Sequence, residues 1–73
     1  MAKYEIQNQI RRLRFDHHEM TQQELANLTG VSRQTIVAIE NGKYSPTLEL
    51  AFAIARIFNV TLDQVFTSVE KEK

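Results

Sequence analysis

Apolar residues recur with helical spacing along most of the chain, and capping residues divide this pattern into segments. Thr21, followed three residues later by Glu24, forms a capping box, which predicts that a helix begins there. Gly30 ends this helix, because glycine readily adopts the left-handed conformation that closes a helix C-terminus. Ser32 caps a further helix that stops at Asn41. The segment therefore holds two helices joined by a very short turn, which forces them to cross steeply.

A first helix is predicted before this pair, from about Asn8 to about His17. Ile10, Leu13 and Phe15 recur within it at roughly helical spacing, which turns them inward.

Two more helices are predicted after the pair. Thr47 caps a fourth helix that continues to about Phe58 and is apolar almost all round, so we expect it to be the buried central helix. Thr61 and Gln64 form a second capping box, which opens a short fifth helix to about Phe66.

The two ends of the chain have a different pattern. Residues 3–6 alternate polar and apolar side chains, and residues 66–69 suit an extended conformation. The predicted fold is therefore an all-α, five-helix domain that spans residues 1–73, with or without a small two-stranded sheet pairing the termini.

Composition limits the function classes. The 73 residues allow one modest core and no deep catalytic cleft, so no enzyme is expected. The absence of cysteine excludes disulfides and thiolate metal sites. His17 and His18 are adjacent without a third ligand, so we expect surface or loop histidines and no metal or other cofactor. No apolar run approaches the ~18 residues that span a bilayer, which predicts a cytoplasmic protein.

Nine basic and nine acidic residues give zero net charge, which argues mildly against a nucleic-acid-binding protein. The distribution of charge matters more, because a phosphate responds to charges within about 10 Å. Most of the cations lie in the first part of the chain, where Arg11, Arg12, Arg14, Arg33 and Lys43 all precede residue 44. A locally positive face on a neutral molecule is predicted.

The second helix of the pair, residues 32–41, carries the candidate chemistry. Ile36 and Ile39 face inward. The positions on or near the other face are Arg33, Gln34, Thr35, Val37 and Ala38. On an arbitrary helix this would be a solvated face, but arginine can bond O6 and N7 of guanine, and glutamine can pair with adenine. Within a helix-turn-helix, here residues 21–41, these side chains would enter the DNA major groove.

The order of these positions resembles the phage lambda repressor and Cro-type (xenobiotic-response-element) helix-turn-helix family, in particular its minimal one-domain bacterial regulators. The resemblance covers about residues 8–66. The matching positions are Gln22, Leu25-Ala26, Gly30-Val31-Ser32, Ile36, Ile39-Glu40-Asn41-Gly42, Pro46, Leu50 and Ile54-Ala55. The chain departs from the family at His18-Glu19, where the family usually has a glycine and one residue fewer between its first two helices.

The resemblance implies a set of DNA contacts. Base contacts are expected from Arg33, Gln34, Thr35 and Ala38. Phosphate contacts are expected from Gln22, Ser32, Asn41, Lys43, Tyr44 and Ser45. The arginine–glutamate pair of the family falls on Arg14 and Glu40, and it would tie the first helix to the third without reading sequence.

These observations predict a sequence-specific regulator of transcription, most simply a repressor, that binds a palindromic double-stranded DNA operator as a homodimer. Two half-sites about one helical turn apart, near 34 Å, would then be read together. Residues 57–69 carry more apolar side chains than a short terminal element needs. The predicted dimer interface consists of Ile57, Leu62, Val65 and Phe66. No small-molecule ligand or membrane contact is evident, and a bacterial protein that joins the nucleoid when bound to DNA is expected.

Two other functions remain open from the sequence. The first is an antitoxin-like operator binder that also binds a partner protein, and the second is a protein-interaction module that has lost DNA binding. Intact Gln22, Arg33, Gln34, Asn41 and Lys43 argue against the second of these.

Overall fold

Seven elements follow one another in the computed structural model, which describes residues 4–70. They are β1 (Tyr4–Asn8), α1 (Ile10–Asp16), α2 (Gln22–Thr29), α3 (Arg33–Glu40), α4 (Leu48–Phe58), α5 (Leu62–Val65) and β2 (Phe66–Glu70). Five helices and a small antiparallel sheet confirm the predicted fold class, with the sheet present. The predicted segment 21–41 contains α2 and α3.

Side-chain caps define the start of α2 and α3. The Thr21 hydroxyl accepts the backbone N–H of Glu24 at 2.9 Å, and Glu24 Oε1 accepts the backbone N–H of Thr21 at 2.8 Å. Gly30 closes α2 with φ 79°, a left-handed conformation that suits glycine. Ser32 Oγ then accepts the backbone N–H of Thr35 at 3.1 Å, which caps α3. The tight turn therefore follows from local chemistry that is visible in the sequence.

The first helix is shorter than predicted. It begins at Ile10, because Asn8 belongs to β1 and its Oδ1 accepts the Ile10 N–H at 3.1 Å. The prediction that Phe15 turns inward is wrong, since 67% of this residue is exposed. His18 and Glu19 follow with φ of 58° and 55°, so the turn that carries a glycine in the family uses two non-glycine residues in left-handed conformations here.

The fourth helix is amphipathic rather than buried all round. Its N-cap, Thr47, accepts the Leu50 N–H at 3.1 Å. The buried face consists of Ala51, Ile54, Ala55 and Phe58. Leu48 and Phe52 lie one turn apart on the other side and are 69% and 51% exposed. No element within residues 4–70 covers that second face.

Every helix contributes to a single core cluster. Its buried members are Ile10, Leu25, Ala26, Ile36, Ile39, Ile54, Ala55, Phe58 and Val65. His17 is half-buried rather than a surface residue, and its ring packs edge-on against Phe58 with centroids 5.1 Å apart. Its Nδ1 is buried and has no hydrogen-bond partner among residues 4–70.

Val65 lies at the centre of this core with 0% of its surface exposed. A side chain with no exposed surface cannot contact a second molecule. The dimer interface predicted from the sequence must therefore be redrawn without Val65.

The two strands join opposite ends of the described chain. They run antiparallel, with Tyr4 opposite Glu70 and Asn8 opposite Phe66. The backbone N–H of Gln9 donates to the carbonyl of Val65 at 2.9 Å, which attaches the sheet to the helices. No helix within residues 4–70 has the length and apolar character needed to cross a membrane.

Candidate nucleic-acid interface

The outward face of α3 begins with two exposed polar side chains. Arg33 and Gln34 are exposed, whereas Ile36 and Ile39 on the opposite side of the helix are buried. Arg33 forms no ion pair with any residue between 4 and 70. Its guanidinium and the Gln34 amide are therefore free to donate and accept hydrogen bonds at the surface.

One turn further along α3, the same face becomes apolar. Val37 and Ala38 follow Arg33 and Gln34 by four residues each, and both are half-buried. The sequence placed both residues on or near this face and predicted a base contact only for Ala38. Val37 stands one helical turn after Arg33, which puts it on the same face. Two such small apolar side chains suit contact with a thymine methyl group.

Ser32 and Thr35 form the N-terminal cap of α3. The two hydroxyl oxygens lie 3.0 Å apart, and Ser32 Oγ also accepts the Thr35 N–H. Thr35 is half-buried and borders a groove with Val31 and Tyr44. Its side chain therefore lies at the edge of the face that Arg33 and Gln34 occupy.

A cluster of four residues holds α3 against α1 and α2. Arg14 Nε donates to Glu40 Oε2 at 2.7 Å, and Arg14 Nη2 donates to Glu40 Oε1 at 3.1 Å. The third guanidinium nitrogen donates to the carbonyl of Met20 at 2.8 Å. Gln22 Nε2 completes the cluster by donating to Glu40 Oε1 at 3.2 Å. We call Arg14, Met20, Gln22 and Glu40 the anchor cluster.

The anchor cluster is largely sealed from water, with the Arg14 and Glu40 side chains only 14% and 8% exposed. A bidentate arginine–carboxylate pair such as Arg14–Glu40 is among the strongest hydrogen-bonded ion pairs in proteins. It also cancels the charge of Arg14, so the locally positive face inferred from the sequence has one cation fewer.

The loop after α3 exposes the remaining polar side chains expected at the interface. Asn41, Lys43, Tyr44 and Ser45 are all exposed. Gly42, with φ 76°, turns the chain, and the Lys43 N–H donates to the Ala38 carbonyl at 2.9 Å. Lys43 forms no ion pair with the described residues.

A tertiary hydrogen bond supports the C-terminal end of α3. Asn8 Nδ2 donates to the Ile39 carbonyl at 2.9 Å, across a separation of 31 residues. The sequence pattern placed Asn8 only at the start of the predicted first helix, so this contact was missed. No local pattern could have identified it, because it depends on how β1 docks beside α3.

The fold brings two of the expected phosphate contacts into one surface groove. Gln22 from α2 and Asn41 from the end of α3 border this groove, together with Arg11 and Arg14 from α1. We call it the α1–α3 groove. Lys43, Tyr44 and Ser45 lie further along the chain in the loop to α4. The expected contacts therefore fall into three groups: the outward face of α3, the α1–α3 groove and the loop.

Within residues 4–70, no cluster of side chains has the makeup of a metal site.

Comparison with known proteins agrees with this geometry. A family model described as helix-turn-helix, of the Cro/C1 type, matches residues 10–65. An uncharacterised HTH-type transcriptional regulator of the archaeon Methanocaldococcus jannaschii is 53% identical over 55 residues, which are 75% of this chain and 83% of the relative.

The cryptic phage CTXphi transcriptional repressor RstR of Vibrio cholerae is 33% identical over 63 residues, 86% of this chain and 56% of RstR. The crystal structure of a candidate DNA-binding protein from Bacteroides fragilis superposes with a TM-score of 0.73 at 26% identity, covering 85% of this chain and 98% of that one. Because the relatives are both archaeal and bacterial, a bacterial source stays a prediction.

The structure and the comparisons support the same identification. The structure has two capped helices around a glycine turn and an exposed polar helix face, and the relatives are transcriptional regulators and DNA-binding proteins. The chain belongs to the Cro/C1-type helix-turn-helix family of transcriptional regulators, which bind double-stranded DNA and are not enzymes.

Proposed function

We propose that this regulator is a repressor that binds a two-fold symmetric operator as a homodimer, with α3 in the major groove of each half-site. The observation that carries the proposal is the pair of exposed side chains at the start of α3. Arg33 and Gln34 have no partner in ion pairs or side-chain hydrogen bonds within residues 4–70. Because the anchor cluster fixes the other end of α3, these side chains would meet DNA from a rigid support.

Within the proposal, the residues divide into two roles. Arg33, Gln34, Thr35 and Ala38 read bases, and the half-buried Val37 is added to them. Phosphates are held by Gln22, Ser32, Asn41, Lys43, Tyr44 and Ser45. Contacts of the first kind give sequence preference, whereas contacts of the second kind give register and affinity.

Repression is supported by the relative RstR, which is a transcriptional repressor. A protein that occupies a promoter excludes the polymerase by bulk alone, so repression requires no surface beyond the DNA-binding face. Activation would require a further surface that contacts the polymerase.

The proposed dimer surface lies at the C-terminal part of the described chain. Ile57, Leu62 and Phe66 are half-buried, and Val69 is 39% exposed in β2. Apolar side chains that remain partly exposed are available for an interface between protein chains. A two-fold interface here would direct two α3 helices at two half-sites of opposite orientation.

Selection of bound duplexes from a random pool tests the proposal. We expect an inverted repeat whose half-sites lie about 34 Å, one helical turn, apart. The matched control is the double variant Arg33→Ala/Gln34→Ala, which should select no consensus. Placing the selected site in a reporter promoter should lower expression when the wild-type protein is present.

Other results would contradict the proposal in identifiable ways. Recovery of no consensus by the wild type would favour a protein-interaction module. A single asymmetric site would contradict the symmetric dimer. Stable co-purification of a second small protein that releases the DNA would favour the antitoxin-like function.

A further inference from the structure

The α1–α3 groove contains a cation that is not among the base and phosphate contacts expected from the family resemblance. Arg11, the second residue of α1, is exposed and borders this groove beside Gln22 and Asn41. We infer that Arg11 is a phosphate-contacting residue, so that the DNA interface extends from the helix-turn-helix onto the first turn of α1. This inference rests on the proposed docking of α3, because Gln22 and Asn41 hold phosphates only in that docking.

The charge of Arg11 is available, which distinguishes it from its neighbour in the groove. Arg14 lies one helical turn further along α1, but its guanidinium is used by Glu40 and the Met20 carbonyl. Arg11 forms no ion pair with any residue in the described range 4–70. Of the two arginines that border the groove, Arg11 is therefore the one with an unpaired positive charge.

Two neutral amide side chains share the groove with this charge. Gln22 uses one N–H of its amide on Glu40 and keeps the other, and Asn41 is exposed. Amide donors fix the position of a phosphate but add no net charge, so they contribute little to the salt dependence of binding. A long, flexible arginine beside them supplies the charge that the amides lack.

One acidic residue borders the same groove and limits how strongly the groove attracts a phosphate. Glu19 is exposed in the turn between α1 and α2, and its carboxylate forms no ion pair with Arg11 in residues 4–70. A carboxylate near a bound phosphate would weaken binding by repulsion. Glu19→Gln is therefore expected to strengthen binding, which is the opposite of the effect expected for Arg11→Ala.

The next residue of α1 provides a matched control. Arg12 is also exposed and has no ion-pair partner among the described residues. Both arginines border a second groove with Gln9 and Phe15, but Arg12 does not border the α1–α3 groove. Arg11→Ala and Arg12→Ala remove the same charge from adjacent positions. Only the first removes a charge from the α1–α3 groove.

The experiment measures the affinity of each variant for a 30-base-pair duplex of arbitrary sequence between 50 and 200 mM salt. The slope of log K against log salt is negative, and each lost phosphate contact makes it shallower by about 0.9. The ratio of the Arg11→Ala Kd to the wild-type Kd should therefore fall about 3.5-fold over this range. Arg12→Ala should keep the wild-type slope, and Arg11→Lys should restore it.

Thermal melting of each variant verifies that the fold is retained. Equal slopes for Arg11→Ala and the wild type, or equal losses for Arg11→Ala and Arg12→Ala, would overturn the inference. The proposed docking is tested separately by the sequence selection described above. If a consensus is selected while Arg11→Ala leaves the slope unchanged, the docking stands and only the role of Arg11 is wrong.

Discussion

Gln22 Nε2 lies 3.2 Å from Glu40 Oε1, so the first residue of α2 donates a hydrogen bond to the last residue of α3. The same carboxylate receives two hydrogen bonds from Arg14 of α1. One acidic side chain thus fixes the two helices of the DNA-binding motif to each other and to the helix before them. The angle at which α3 projects depends on this carboxylate.

The anchor cluster is expected to contribute to stability. Arg14→Ala should lower the free energy of unfolding by about 3 kcal/mol, because it leaves the Glu40 carboxylate buried without its counter-charge. Replacing both partners, as in Arg14→Met/Glu40→Leu, should recover most of this loss. Urea unfolding measures both values. A change of less than about 0.5 kcal/mol for Arg14→Ala would mean that water or another cation replaces the arginine.

In contrast to the anchor cluster, the outward face of α3 should contribute to DNA recognition and little to stability. Arg33→Ala/Gln34→Ala should change the free energy of unfolding by less than about 0.5 kcal/mol for each residue, because both side chains are exposed. Discrimination between the selected operator and random DNA should disappear. Arg56→Ala, an exposed arginine on α4, serves as the control and should retain discrimination. Unfolding of the double variant would show that this face is structural.

Lys43 should contribute to affinity without contributing to sequence preference. Lys43→Ala is expected to weaken binding to all duplexes about equally and to flatten the salt slope by about one unit. Lys43→Arg keeps the charge and should keep the slope. Salt titrations on the selected operator and on a scrambled duplex provide the measurement. A change in the preferred sequence would identify Lys43 as a base-reading residue.

Two substitutions near α5 separate the core from the proposed dimer surface. Leu62→Glu should yield a folded monomer with weak operator binding, because Leu62 is half-buried and its side chain can reach water. Val65→Glu should unfold the protein, since it puts a charge into a fully buried site. Sedimentation and thermal melting distinguish the two outcomes. A wild type that sediments as a monomer at high concentration, and on operator DNA, would contradict the dimer.

The turn between α1 and α2 offers a stabilising substitution. His18 has φ 58°, a conformation that costs a residue with a Cβ about 1 kcal/mol and costs glycine little. His18→Gly should therefore raise the free energy of unfolding by about 0.5–1 kcal/mol. Arg12→Gly, within α1, is the control and should lower it by about 1 kcal/mol. A loss of stability in His18→Gly would mean that the His18 side chain makes a stabilising contact.

The parts of the fold that sequence predicts are those that depend on neighbouring residues. Thr21 and Glu24 cap α2 through bonds only three residues apart, so the pattern alone identifies them. Phe15 was misplaced because helical spacing defines faces only relative to one another, and the docking of the seven-residue α1 decides which face is buried. Which face of a helix points to the core can therefore be determined only from the tertiary structure.

The same distinction applies to the candidate interface. The identities of Arg33 and Gln34 follow from their place after the Ser32 cap. In contrast, Arg11 and Asn41 are far apart in sequence, and only the packing of α1 beside the end of α3 brings both to one groove. The burial of Val65 also depends on packing, since its apolar side chain suits a core and an interface equally well. These assignments could not be made from the residue pattern.

The pairing of β1 with β2 has a consequence for the order of folding. Tyr4 faces Glu70, so this sheet closes nearly the whole described chain into a loop, and the entropy cost of closure grows with loop length. The turn between α2 and α3 closes over a few residues. We therefore expect α2 and α3 to assemble before the strands pair, and the strands to open first in the native state. Backbone amides of β1 should then exchange hydrogen with solvent sooner than those of α3, so the helix proposed to read DNA would keep its shape while the sheet opens.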